Sequence, residues 1–142
     1  MRLDLITYGL GNKLKKELIK PIENSFVKPE GGLWASPFHS AYGWKEWCQH
    51  EDFGDLTSSF IFAFEGNVLV INSEEDLDKM NWVELYGKSC PDFEKVQKMG
   101  YDAVLLTEVG QLKTRYSEPY SLYGWDCESI CILNKNKIIE NA

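Results

Sequence analysis

No stretch of this chain is apolar for long enough to cross a bilayer as a helix, so a membrane-spanning protein is not expected. The N-terminal Met1-Arg-Leu-Asp-Leu-Ile6 has neither the apolar core nor the cleavage site of a secretory leader, which leads to the expectation of a cytoplasmic protein. Basic residues are few: 15 Lys and Arg stand against 22 Asp and Glu, for a net charge of -7. That balance argues against an extended nucleic-acid surface, which needs a basic field. It leaves room for a small nucleotide, which needs only one or two local donors. Histidine occurs twice and cysteine four times. Cys127 and Cys131 are four apart rather than at the close spacing of a zinc knuckle, so no metal site is expected, even with His39 and His50 considered. The cysteines are read as free thiols. A thiol enzyme built on Cys48 with His50 or His39 is a weak alternative, because Cys48 and His50, two apart on a helix, point to different faces. Repeats, low-complexity tracts and linkers are absent, so residues 1–142 are read as a single domain.

Aromatic residues are what the chain has in quantity, 13% of it, with five Trp and seven Tyr. Many such rings belong in a core, but they also supply the walls of a stacking pocket. Leu3 and Leu5 alternate with Asp4 in a first strand ending at Tyr8-Gly9. Lys13 to Lys20 reads as a turn or two of helix stopped by Pro21, with a short strand expected near Phe26. Gly31-Gly-Leu-Trp-Ala-Ser36 is a second strand entered through paired glycines, which permit a bend and the close approach of another group. Ser40 to Cys48 reads as a helix with Trp44 and Trp47 on one face.

Ser58 to Phe64 and Val68 to Asn72, joined by Glu65-Gly-Asn67, predict a central hairpin. Ser73 caps a helix to about Trp82, and Pro91 opens another that Gly100 closes. Tyr101 to Thr107 is a strand, and Gly110 to Gly124 a polar loop of a length that often carries function. The loop leads to Trp125-Asp-Cys-Glu128, then to an apolar strand through Ile130, Cys131, Ile132 and Leu133 that Asn134-Lys-Asn136 ends. Glu128 sits at the mouth of that strand. A carboxylate there is either a solvated strand-end group or one held rigidly against a cleft.

The order of these segments resembles the ADP-ribosyltransferase fold of small bacterial or phage proteins. Glu128-Ser-Ile-Cys-Ile-Leu-Asn-Lys-Asn-Lys-Ile138 is similar to the family's C-terminal strand pair, opened by a glutamate. Gly31-Gly-Leu-Trp-Ala-Ser36 is similar to its second motif, an aromatic followed by a hydroxyl at a strand end. Thr7-Tyr8-Gly9 stands at its first motif, where the family carries His or Arg and this chain does not. The resemblance spans Leu3 to Ile138.

It implies an α+β protein with a split antiparallel β-sheet, a central cleft and short flanking helices. It implies NAD as substrate, bound by Thr7, Tyr8, Gly9, Trp34, Ser36 and Trp44. It implies Glu128 as the catalytic carboxylate of a mono-ADP-ribosyltransferase acting on a protein acceptor, as a toxin or phage-encoded modifier would. Thr7 or Tyr8, or else Arg115 or Lys28 from elsewhere, would replace the missing basic residue, and Asp126 would position an acceptor or simply be solvated. The missing residue equally fits a non-catalytic nucleotide- or protein-binding module on the same fold.

Overall fold

A computed structural model describes residues 1–139. The chain is α+β and mostly sheet: seven strands form one mixed sheet, and two more form a separate hairpin. In chain order the strands are β1 (Arg2–Tyr8), β2 (Leu33–Pro37), β3 (Ser59–Glu65), β4 (Val68–Ile71), β5 (Trp82–Leu85), β6 (Lys88–Pro91), β7 (Ala103–Leu106), β8 (Ser129–Ile132) and β9 (Ile138–Ile139). Three short helices flank them: α1 (Trp44–Glu51), α2 (Phe93–Lys98) and α3 (Glu108–Thr114). The large sheet runs β4-β7-β8-β2-β1-β3-β9. Its pairs are antiparallel except β4 with β7. Among the described residues no helix is long and apolar enough to cross a membrane.

Period-two alternation divides the side chains between two cores. On one face Leu5, Leu33, Ala35, Ile130 and Ile132 pack with Phe60, Phe62 and Phe64. On the other, Val104, Leu106 and Cys131 pack under Phe93, Leu122 and Trp125. The second core stops at Trp34. Beyond it, on β1 and β3, Ile6 and Tyr8 are only half-buried and Ile61 is exposed.

The ladder between β1 and β2 is short. It holds two residue pairs, Leu5 with Pro37 and Ile6 with Ser36, whereas β1 and β3 pair along seven. Each strand is committed to its outer neighbour, and past Ile6 the two part. The Thr7 hydroxyl then donates to the Trp34 carbonyl at 2.9 Å, in place of a backbone bond.

Several expected elements differ. β3 and β4 are not a hairpin; four strands lie between them, and β4 is an edge strand. The Gly66-Asn67 turn carries the chain across instead. The Gly66 N–H donates to the Met1 carbonyl, and Asn67 exchanges hydrogen bonds with Asp102, which sets β4 parallel to β7. The helix expected from Ser73 is a tighter 3₁₀ stretch, Glu75–Met80, with Asp76 accepting from Asn72 and Ser73. Lys13 to Lys20 contains one 3₁₀ turn, Lys16–Leu18, and near Phe26 there is only the Glu23–Glu30 bridge. The helix expected from Ser40 starts at Trp44. The expected loop from Gly110 begins inside α3, which Thr107 caps by accepting from the Gly110 N–H.

Paired glycines enter β2 for the reason anticipated. Gly31 and Gly32 both have positive φ, and a Cβ on Gly31 would overlap the Pro21 carbonyl. A Cβ on Gly32 would sit 2.6 Å from the Ile132 carbonyl oxygen. Gly32→Ala is therefore expected to cost about 2–4 kcal/mol through strain and overlap. A urea titration checks this: the midpoint should fall, and an unchanged midpoint would mean that β2 and β8 do not approach this closely.

Candidate functional site

The gap where β1 and β2 part is a cavity of about 390 Å³, partly open to solvent. Its floor comes from the diverging strands, Ile6, Thr7 and Tyr8 on β1 and Leu33, Trp34, Ala35 and Ser36 on β2. Its walls come from Trp44 on α1, from Lys28, and from the segment Trp125, Asp126, Cys127 and Ser129 that enters β8. The volume lies within the range of small-molecule pockets.

Three tryptophans shape it. Trp125 is fully buried, its indole N–H donating to the Val27 carbonyl at 2.8 Å, and it meets Trp34 edge-on at a centroid distance of 4.7 Å. Trp44 stacks on Trp47 at 5.0 Å, which holds it on the opposite wall. Lys28 places its ammonium 5.7 Å from the centroid of Trp34. Such rings, fixed by their own packing, offer flat apolar surface at little entropic cost.

Ser36 is buried, and its hydroxyl ties three elements together. It accepts from the Trp44 N–H at 2.9 Å and donates to the Glu128 carbonyl at 3.0 Å. The Glu128 N–H in turn donates to the Tyr42 carbonyl. β2, α1 and the approach to β8 are thus pinned around one hydroxyl.

Five of the residues anticipated at a ligand, Thr7, Tyr8, Trp34, Ser36 and Trp44, line this one cavity. Gly9 does not; it turns the chain at φ +81°, its N–H on the Ser58 carbonyl. The side chain of Glu128 is not on the wall either. Cys127 and Ser129 face the cavity, and Glu128, one residue out of phase with both, does not. Its Oε2 accepts from the Glu108 N–H at 3.3 Å, at the start of α3. The carboxylate on the wall is Asp126, paired with Arg115 at 3.4 Å.

Lys28 lines the cavity, whereas Arg115 does not. Trp125, like Cys127 and Ser129, is a wall residue that the sequence pattern did not assign. Its signal was its place directly after a long polar loop and two residues ahead of Cys127.

Among the described residues no group of three or more His, Cys, Asp or Glu is placed to hold a metal ion. All four cysteines are free and buried. Burial, with Asp126 adding to it, pushes the Cys127 thiol up to about 12. Burial also raises Cys48, Cys90 and Cys131. The chain matches no family model, no curated protein and no solved structure.

A raised thiol pKa keeps the unreactive protonated form at neutral pH. At pH 8 Cys127 is then held in its protonated form. A chromogenic disulfide reagent is expected to find no fast-reacting thiol in native protein at pH 8 and all four after unfolding. Rapid native labelling of Cys127 would contradict its burial and its raised pKa.

Proposed function

We propose that this chain binds NAD in the cavity between β1 and β2 and transfers its ADP-ribose to a protein acceptor, on an ADP-ribosyltransferase-like split sheet. One observation carries the reading. The places where the resemblance puts NAD contacts lie far apart in the sequence, yet Thr7, Tyr8, Trp34, Ser36 and Trp44 converge on one gap of about 390 Å³. The order of the central strands supports it, since β8, which directly follows Glu128, lies beside β2, and β2 beside β1.

In this reading an aromatic wall, Trp34 or Trp44, takes the base. Lys28, a cation over Trp34, stands in for the basic residue that the first motif lacks. Breaking the nicotinamide–ribose bond leaves positive charge on the sugar, and a carboxylate against the ring stabilises that charge as it develops. Glu128 is the proposed carboxylate. Its backbone is fixed between two wall residues by the bonds to Ser36 and Tyr42. Its side chain must give up the 3.3 Å bond to Glu108 and turn to the cavity side.

A second reading is favoured by that same placement: a module that binds the nucleotide, or a protein partner, without turning it over. The wall carboxylate is already neutralised by Arg115, and Glu128 is engaged elsewhere.

Calorimetry with NAD and an assay of nicotinamide release separate the two. The transferase reading expects binding heat, with release that falls about a hundredfold or more in Glu128→Gln, the size of one lost electrostatic stabiliser. Binding with no release leaves the module reading, and equal release from both proteins removes Glu128 as the catalytic carboxylate. Absence of binding heat removes both nucleotide readings.

A further inference from the structure

We propose that Arg115 is a specificity-determining residue that makes the cavity accept anionic ligands, acting through Asp126 from outside the wall. The inference rests on the reading of the cavity as a nucleotide site. The charged side chains on the wall are Lys28 and Asp126. Left alone they would cancel, and a phosphate-bearing ligand would meet no net attraction and one close repulsion. Arg115 alters that balance.

Its Nη1 donates to Asp126 Oδ1 at 3.4 Å, and both side chains are about three-quarters buried, with exposures of 29% and 21%. The guanidinium is steadied by two rings, Tyr123 at 5.1 Å and Tyr116 at 5.7 Å, and donates through Nε to the Tyr116 hydroxyl. Planar delocalised charge suits that stacked position better than an ammonium would. The ion pairs among the described residues do not include Lys28. With Asp126 neutralised, the positive charge of Lys28 remains for the ligand. Tyr116 and Tyr123 are both exposed, lie 5.7 Å apart and flank the Arg115 head.

The test uses the full chain and two ligands, NAD and ADP-ribose, titrated by calorimetry into wild type, Arg115→Gln, Asp126→Asn and the double variant. ADP-ribose lacks the positive pyridinium of NAD and carries one more net negative charge. Arg115→Gln is expected to weaken ADP-ribose about tenfold, the scale of one largely solvent-screened like-charge contact, and NAD less. The double variant should recover most of the loss. Asp126→Asn alone should bind ADP-ribose at least as tightly as wild type, which keeps the inference testable if Arg115→Gln does not fold. Equal losses for both ligands without recovery, or a weakened Asp126→Asn, would overturn the inference while wild type still binds. Failure of wild type to bind either ligand would overturn the nucleotide reading and this inference with it.

Discussion

The structure turns on the point where β1 and β2 stop pairing. After two residue pairs the strands diverge, and the Thr7 hydroxyl makes the last link across, to Trp34. A single such hydrogen bond contributes only about 1 kcal/mol. What keeps the strands together below it is the shared apolar face, where Leu5 packs with Leu33, Ala35 and the phenylalanines of β3. What keeps them apart above it is the lack of a covering core on the other face. There the packing ends at Trp34 and Trp125 and does not continue over Ile6 and Tyr8. One face closes the sheet and the other leaves it open.

The hollow that results has a consistent chemistry. Tryptophan surfaces anchored by their own contacts form its sides, and Ser36 fixes three of the elements that meet there. The thiol on its wall is held protonated by burial, so it behaves as a small apolar group rather than a nucleophile. A lysine over an indole and a carboxylate already bonded to an arginine supply the charges. Flat apolar walls with a few placed charges suit a ligand that joins an aromatic base to phosphate. That is the physical content of the proposed NAD site, whether or not turnover follows.

Local pattern was enough to find β1, β2, β7 and β8, because β-branched and alternating residues bounded by glycine leave few other choices. It failed where distant partners decided the outcome. Glu65-Gly-Asn67 has the chemistry of a hairpin turn, yet Asp102 captures Asn67 and sends β4 to the far edge. α3 was hidden because Gly110 interrupts its pattern and Val109 and Leu112 face solvent; the glycine is there because a Cβ would overlap the Ile71 carbonyl. Of the residues that the resemblance named at a ligand, Thr7, Tyr8, Trp34, Ser36 and Trp44 line one cavity, and Gly9 does not. The direction of Glu128 was not legible, since which face Cys127 and Ser129 take, and so which is left to Glu128, is set by the register of β8 against β2 and β7.

The most direct measurement is a crystal structure of the protein soaked with NAD. The account predicts electron density for the ligand in the gap between β1 and β2, with a base against Trp34 or Trp44 and a phosphate within reach of Lys28. Density at another surface, or a gap that stays closed to NAD at saturating concentration, would contradict it.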